Sequence, residues 1–237
     1  RVALDMVDAG AALVDVGARS TAPYRDTEIS EAEEAERLAR AVERLADKLP
    51  VPVSADTARP VVARAALEAG ARVLNDVSAL RAPALAREVL AHDASLITMA
   101  APVGGRVLGE PVGTVRALLA EALARAVAAG IPDERIVVDP GIGFFREASV
   151  PWHDWDVAVL AGLPTLCALG RPLCVGVSRK SFIGALTGRT ATADRLAGSL
   201  AATAAAVLNG AALIRTHDVR ETIDAVRVAE RLRGLAP

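Results

Sequence analysis

Aromatic residues and cysteines are scarce in this sequence, and no run of eighteen apolar residues occurs in it. Aromatic side chains make up 3% of the 237 residues, which argues against a surface that stacks bases or sugars. The two cysteines, Cys167 and Cys174, provide neither a disulfide framework nor a zinc-binding pattern. No charged-then-apolar leader opens the sequence, so we expect a reducing, cytoplasmic setting and no membrane span.

The charges nearly cancel, with 27 basic against 29 acidic side chains and a formal net charge of -2. Such a balance excludes the broad basic face that binds nucleic acid or an anionic membrane. Hydrophobic residues make up 52% of the chain, which excludes disorder and supplies a large core. We expect one domain over residues 1–237.

Short apolar runs rich in β-branched residues alternate with stretches of helical periodicity. The predicted strands are Ala12–Ala18, Pro52–Thr57, Arg72–Val77, Ala94–Ala100, Arg135–Gly141, Pro172–Ser178 and Ala212–Asp218. The predicted helices between and after them are Glu31–Leu49, Pro60–Ala69, Pro83–His92, Thr114–Ala129, Asp154–Leu169, Ala193–Asn209 and Arg220–Arg233. Apolar strands that are each followed by a helix indicate a parallel sheet covered on both faces.

Helix-terminating and helix-starting residues support this assignment. Ser30 and Glu33 form a capping-box pattern, and Gly70, Gly130 and Gly210 follow predicted helix ends. Glu34 belongs to an acidic cluster with Glu31, Glu33 and Glu36, which is interpreted as a solvent-exposed helix face.

Two architectures fit such a chain, a doubly wound sheet and a closed barrel. A dinucleotide-binding sheet needs a G-x-G-x-x-G turn after an early strand, and Gly104, Gly105 and Gly109 lack that spacing. In (β/α)8 barrels, functional side chains follow several different strands, which is the pattern seen here. The sequence therefore predicts a (β/α)8 TIM barrel.

The sequence contains seven predicted strands, one fewer than a (β/α)8 barrel needs. It also opens inside a helical pattern over Arg1–Ala9. An open sheet of seven strands would leave two apolar edges unpaired. We therefore expect the first strand and its loop to precede Arg1 in the natural polypeptide.

Polar and charged residues stand at the carboxyl ends of most of these strands, and we expect them to form one site. A carboxylate can accept two parallel hydrogen bonds from the amidine-like edge of a heteroaromatic ring. Arg215 and His217 are two positions apart on a strand, so they project to one face and suit a phosphate or pyrophosphate. The full set is Asp56, Asn75 with Asp76, Asp139, the group Ser178-Arg179-Lys180-Ser181, Arg215 and His217.

At these positions the sequence resembles the dihydropteroate synthase family, the pterin-binding barrel enzymes of the folate pathway. The resemblance runs from Gly10 to the C-terminal helix, and its motifs stand in the family's order. They are Asp15-Val16-Gly17 with Ser20-Thr21, Ser54-Ala55-Asp56-Thr57, Asn75-Asp76-Val77, Asp139-Pro140-Gly141-Ile142-Gly143-Phe144, Ser178-Arg179-Lys180-Ser181 and Arg215-Thr216-His217-Asp218.

The resemblance implies a role for each of these residues. The pterin ring would be held by Asp56, Asn75, Asp139 and Lys180, with Met99 lining the slot. The pyrophosphate would be held by Arg215, His217 and Thr21. The p-aminobenzoate pocket would be bordered by Phe144, Lys180 and Ser181. The catalytic residues would be Lys180, Arg215 and His217.

The resemblance also implies partners for the chain. Pyrophosphate would leave with Mg²⁺, whose protein ligand would be an asparagine in the loop expected before Arg1. No metal ligand is expected within the 237 residues themselves. The substrates would be small molecules, and the family's usual assembly predicts a homodimer.

This sequence departs from the family pattern at four positions. Ala22 replaces the usual arginine after Ser-Thr, where Arg19 or Arg25 could substitute, and Ala100 replaces a histidine after Met99. The loop after the fifth strand reads Phe145-Arg146 in place of Gly-Lys, with Trp152 and Trp155 beyond it expected to clamp that loop.

Two other functions therefore stay open. A methyltetrahydrofolate-dependent methyltransferase uses the same barrel but needs neither the Arg-x-His pair nor the Ser-Arg-Lys loop. A non-catalytic pterin-binding paralogue would explain the departures.

Overall fold

The computed structural model describes residues 1–20, 27–102, 104, 107 and 109–235 of the chain. Strands and helices alternate along it. The strands are β1 (Val14–Val16), β2 (Val53–Asp56), β3 (Val73–Asp76), β4 (Ser95–Met99), β5 (Ile136–Asp139), β6 (Cys174–Gly176) and β7 (Leu213–Arg215). The helices are α1 (Val2–Asp8), α2 (Glu31–Ala46), α3 (Pro60–Glu68), α4 (Pro83–Ala91), α5 (Pro111–Ala128), α6 (Trp152–Ala161), α7 (Leu163–Cys167), α8 (Ser181–Thr187), α9 (Leu196–Leu208) and α10 (Val219–Arg233). Each of the seven predicted strands is confirmed.

Two compact units divide the chain, and the first contains residues 1–99 and 120–137. Strands β1 to β4 pair in parallel there, with Asp56 opposite Asn75 and Leu74 opposite Leu96. Strand β5 follows β4 in the strand order. All four residues of β2 are buried, as expected for a parallel strand covered on both faces.

The second unit contains residues 100–119 and 138–237. Strands β6 and β7 pair in parallel, with Val175 opposite Ile214. Val138 of β5 forms a parallel bridge with Leu173, just before β6. The prediction of a single domain over 1–237 stays a prediction.

The predicted helix boundaries have clear physical causes. The Ser30 hydroxyl accepts the backbone N–H of Glu33 over 3.2 Å and so caps α2. Gly70, at φ +110°, follows α3, and a Cβ there would lie 2.9 Å from the Ala46 Cβ. Only glycine combines that backbone conformation with that close approach.

The predicted helix over Asp154–Leu169 is wrong in one respect, since it breaks at Gly162 into α6 and α7. Pro164 lacks a backbone N–H and therefore begins a new helix instead of continuing the first. Helix α8 was not predicted because its seven residues are too short to show a helical period. Within the described residues, no helix is long and apolar enough to cross a membrane.

Candidate functional site

The first unit places a carboxylate and an amide side by side at the ends of β2 and β3. Asp56 and Asn75 stand opposite each other in the parallel register, and they are 7% and 6% exposed. The Asn75 amide donates a hydrogen bond to Asp15 Oδ2 over 3.2 Å. Asp15, at the centre of β1, was quoted only as part of a motif. The structure shows that this hydrogen bond orients the Asn75 side-chain amide.

Asp76, next to Asn75, has a structural role. Its buried carboxylate accepts the Ser78 backbone N–H over 2.8 Å, the Ser78 hydroxyl over 2.5 Å and the Leu80 N–H over 2.6 Å. Ala79 and Leu80 adopt left-handed conformations, with φ of 60° and 53°. Burial raises the pKa of Asp76, and the three hydrogen bonds oppose that rise. Asp76 thus stabilises the strained loop that follows β3.

The acidic cluster of α2 corrects one interpretation, because Glu34 is fully buried. Its carboxylate accepts hydrogen bonds of 2.9 Å from Arg19 Nε, Arg59 Nη1 and the Thr57 hydroxyl. The solvent-exposed interpretation therefore fails for this one member. Arg19, a possible replacement for the arginine missing at Ala22, instead anchors the loop after β1 to α2.

In the second unit, Asp139 ends β5 and organises the turn that follows. Its Oδ1 accepts the Gly141 N–H over 2.7 Å, and its backbone oxygen accepts the Ala100 N–H over 2.8 Å. Gly141 and Gly143 have φ of 73° and 86°, which explains the two glycines of this loop.

Lys180 and Phe144 meet above this turn. The Lys180 ammonium lies 5.0 Å from the centre of the Phe144 ring, within cation–π range. A Cβ on Gly143 would lie 3.2 Å from Lys180 Cδ, so the glycine gives the lysine room to cross the loop. Burial lowers the pKa of Lys180, while the nearby carboxylates of Asp139 and Asp156 raise it.

Arg146 and Ser181 form a second contact between the loop and α8. Arg146 Nη2 donates to the Ser181 hydroxyl over 2.6 Å, and its guanidinium lies 4.4 Å above the Trp152 ring. Phe145, buried beneath the loop, stacks on Trp155 with ring centres 4.9 Å apart. The predicted clamping of this loop by Trp152 and Trp155 is confirmed.

Arg215 and His217 lie at the end of β7, where both are exposed. The Ser178 hydroxyl oxygen accepts the His217 backbone N–H over 3.2 Å and lies 2.9 Å from Nδ1. Its own proton can therefore be donated to Nδ1, which leaves the ring proton on Nε2, directed away from the serine. Partial desolvation of the imidazole ring and then the Arg215 charge lower the pKa of His217, while Asp218 raises it.

Arg179, beside Lys180, is a structural residue. Its guanidinium donates two hydrogen bonds to Asp218, of 2.8 and 2.6 Å, which lower the pKa of that carboxyl. Its backbone has a left-handed φ of 55°, held by the Ser199 hydroxyl, which accepts the Arg179 N–H over 2.8 Å. The pair fixes the chain on both sides of the site, between β6 and α8 and between β7 and α10.

Met99 and Thr21 are the two remaining residues of the predicted site. Met99 is the last residue of β4 and is 3% exposed. Thr21, like Ala22 and Arg25, lies outside the described residues.

Among the described residues, no group of three or more histidine, cysteine, aspartate or glutamate side chains could hold a metal ion. Asp156, which the sequence analysis did not single out, is buried, and the charges of Arg146 and Lys180 lower its pKa against the effect of burial.

Residues 1–217 match the family described as pterin binding enzyme. The chain is 36% identical to the dihydropteroate synthase of Escherichia coli K12 over 231 residues, which cover 95% of this chain and 79% of that protein. It is 40% identical to the dihydropteroate synthase of Mycobacterium leprae over 241 residues, covering 95% and 81%.

Among solved structures, the dihydropteroate synthase of Xanthomonas albilineans with 4-aminobenzoic acid has a TM-score of 0.91 at 38% identity, over 100% of this chain and 84% of that one. The Coxiella burnetii enzyme in complex with pteroic acid has a TM-score of 0.91 at 34% identity, over 100% and 85%. This likeness confirms the predicted (β/α)8 barrel fold class.

Proposed function

We propose that this chain, which belongs to the pterin-binding enzyme family, joins a pterin to p-aminobenzoate. It is a transferase with dihydropteroate synthase activity. The substrates are 6-hydroxymethyl-7,8-dihydropterin pyrophosphate and p-aminobenzoate, and the products are 7,8-dihydropteroate and pyrophosphate. The observation that carries this function is the arrangement in the second unit, where Lys180 crosses the Asp139 turn above Phe144.

Pterin recognition is proposed for Asp56 and Asn75 in the first unit and for Asp139 and Lys180 in the second. The 2-amino and ring N–H groups of a pterin form a donor edge that matches a carboxylate in geometry and charge. Asp56 is buried, which strengthens such a bond because water does not compete for it. Met99 is buried at the end of β4 and would contribute an apolar wall.

The pyrophosphate site is proposed at Arg215 and His217. The guanidinium offers a planar fork of N–H donors to phosphate oxygens, and the histidine adds its Nε2 proton. When the pterin CH₂–O bond breaks, negative charge develops on the departing oxygen. Fixed cations and donors at that position lower the barrier because they stabilise charge that is absent from the ground state. Thr21 is proposed as a further phosphate contact.

The p-aminobenzoate site is proposed at Phe144, Lys180 and Ser181. The Phe144 ring offers an apolar face to the aryl ring, and the Ser181 hydroxyl offers a hydrogen bond to the carboxylate. Arg146, which donates to Ser181, adds a positive charge at the same end. The pterin CH₂–O bond ionises first and pyrophosphate leaves. The aryl amine then attacks the pterin methylene cation to form the C–N bond, and one amine proton is released to solvent.

Mg²⁺ is proposed as a companion of the pyrophosphate, since phosphate oxygens are the ligands that this hard cation prefers. The described residues do not fit a metal site of their own, because no cluster of three acidic, histidine or cysteine side chains occurs among them. We also propose a cytoplasmic homodimer, which the family resemblance supports.

An assay of pyrophosphate release with and without p-aminobenzoate tests the function. A synthase releases pyrophosphate stoichiometrically with dihydropteroate, and only at full rate when the aryl amine is present. A methyltransferase would release none and would bind methyltetrahydrofolate instead. A non-catalytic paralogue would bind the pterin in calorimetry and release nothing, and either result would overturn the proposal.

A further inference from the structure

Helix α6 holds three residues of the loop after β5, one after another. Its Trp152 lies under the Arg146 guanidinium, and its Trp155 stacks on Phe145. Asp156 Oδ1 accepts the Gly143 backbone N–H over 2.8 Å. The three helix residues have i, i+3 and i+4 spacing, so they lie on one face of α6.

The two tryptophans are explained by the rings and side chains they pack against, but packing does not explain a carboxylate at position 156. The residue is 1% exposed, and no hydrogen bond to Oδ2 is found within the described part of the chain. A buried carboxylate with one oxygen lacking a donor costs free energy of folding, and a neutral acceptor would hold Gly143 without that cost. The charge itself therefore calls for an explanation.

The charges that lower the pKa of Asp156 come from three elements. Arg146 belongs to the loop, Lys180 precedes α8, and His153 stands on α6 itself. Gly143 links Asp156 to Lys180 directly. The Gly143 N–H donates its hydrogen bond to Asp156. Lys180 passes close to the Gly143 α-carbon, and a Cβ built on Gly143 would lie only 3.2 Å from Lys180 Cδ.

We propose that Asp156 is a positioning residue of the synthase reaction, whose ionised carboxylate fixes the Gly143 turn and keeps the Lys180 ammonium charged over Phe144. This inference rests on the proposed function, in which Lys180 is the residue that contacts substrate. Asp156 acts through Gly143 and Lys180 and is not itself placed against the pterin or the aryl amine.

The charge states of the two residues depend on each other. Burial raises the pKa of Asp156 to about 6, against the opposing effects of the Gly143 N–H and the Arg146 and Lys180 charges. Burial lowers the pKa of Lys180, Asp139 and Asp156 raise it, and Arg215 and Arg146 lower it further. Loss of the Asp156 charge therefore lowers the pKa of Lys180, and protonation of Asp156 has the same effect on the lysine.

The test is the pH profile of kcat/KM for p-aminobenzoate in Asp156→Asn, with Asp154→Asn as a matched control. The asparagine side chain of the first variant keeps a carbonyl oxygen for the Gly143 N–H and lacks only the charge, whereas Asp154 is an exposed carboxylate on the same helix. We expect the wild type to lose activity at alkaline pH, where Lys180 loses the charge that Asp156 helps to keep. In the Asp156→Asn variant this alkaline limb should move to lower pH, because the pKa of Lys180 falls when the carboxylate charge is lost.

In absolute terms, Asp156→Asn should lower kcat/KM at pH 8 by about tenfold, the size expected when a charged partner is lost. Asp154→Asn should follow the wild-type profile. If the alkaline limb of Asp156→Asn coincides with that of the wild type, whatever the absolute rate, Asp156 serves only the fold and the inference is overturned.

Pterin affinity, measured by calorimetry between pH 5 and 9, separates this inference from the proposed function. If the wild type turns nothing over, the function fails, yet the affinity profile of Asp156→Asn should still differ from that of the wild type. Superimposable affinity profiles would overturn the positioning role independently of turnover. Asp156→Ala also removes the Gly143 acceptor, so melting of that variant measures the structural part separately.

Discussion

Arg146 donates a hydrogen bond of 2.6 Å to the Ser181 hydroxyl, although the two residues are 35 positions apart in the chain. The Trp152 ring beneath the guanidinium holds the arginine side chain at that angle. An arginine and a serine hydroxyl together make a polar end suited to an aryl carboxylate. The loop that departs from the family pattern thereby gains a contact to α8.

Replacing Arg146 by methionine should therefore weaken the recognition of the carboxylate selectively. We expect KM for p-aminobenzoate to rise about tenfold, which corresponds to loss of one charge-assisted hydrogen bond of about 1.5 kcal/mol. For the uncharged analogue p-aminobenzamide, KM should be the same in variant and wild type. Arg116→Met, at an exposed site on α5, is the control. If KM rises equally for p-aminobenzoate and p-aminobenzamide, Arg146 only supports the loop and does not recognise the carboxylate.

Asp139 is expected to bind the pterin by its charge, beyond its role in the Gly141 turn. Asp139→Asn can still accept the Gly141 N–H but gives the pterin donors a neutral partner. Pterin affinity by calorimetry should fall about 10- to 100-fold, from a loss of about 1.5–3 kcal/mol. Asp224→Asn, on the exposed side of α10, should leave the affinity unchanged. Unchanged affinity in a folded Asp139→Asn protein would remove Asp139 from the site.

Much of this arrangement could be predicted from the sequence, because it depends on local signals. All seven strands are short apolar runs that end in polar residues, and Ser30 and Gly70 mark helix ends by their own chemistry. Glu34 shows the limit of such signals. It lies four residues before Leu38 on the apolar face of α2, yet the charges around it suggested a solvated surface.

The missed residues depend on contacts between distant segments. Asp156 follows Trp155 in a stretch without any motif, and its role depends on Gly143, 13 positions earlier, and on Lys180, which lies beyond β6. The only sequence signal was its helical spacing from Trp152. Arg146 stood out as a departure from the family pattern, but its partner Ser181 could be identified only in the folded chain.

Arg215 is expected to recognise the pyrophosphate and not the pterin ring. Arg215→Ala should lose affinity for the pterin pyrophosphate while binding 6-hydroxymethyl-dihydropterin about as well as the wild type. The reason is that Arg215 is exposed at the end of β7, where its removal costs the fold little. Calorimetry with the two ligands checks this, and equal losses for both would indicate that Arg215 maintains structure.

Glu34 is expected to contribute more to stability than any exposed member of its acidic cluster. Glu34→Gln leaves Arg19 and Arg59, whose side chains are 20% and 27% exposed, without their shared carboxylate. Urea denaturation should show a loss of about 3 kcal/mol, as for other buried ion pairs broken on one side. Glu33→Gln, at a side chain 43% exposed, should change stability by less than about 0.5 kcal/mol. Equal effects of the two substitutions would contradict the anchoring role of Glu34.

Asp156 is expected to make the folded protein less stable as the pH rises from about 4 to about 6. Its pKa is raised by burial from 3.8 to about 6, so the folded state holds a proton that the unfolded chain has already released. The stabilisation is fully present below the unfolded value and is lost as the pH passes the folded one.

The pKa difference corresponds to about 3 kcal/mol of unfolding free energy at pH 7. Urea denaturation from pH 4 to 7 follows the difference in unfolding free energy between Asp156→Asn and the wild type. Over that range the difference should shift in favour of the variant by most of this amount, about 2.5 kcal/mol. The same difference for Asp154→Asn should stay nearly constant over that range, because Asp154 is exposed in the folded protein. A constant difference for Asp156→Asn as well would mean that the buried carboxyl titrates normally. Its charge would then carry no folding cost, and the argument that the charge is retained for Lys180 would lose its basis.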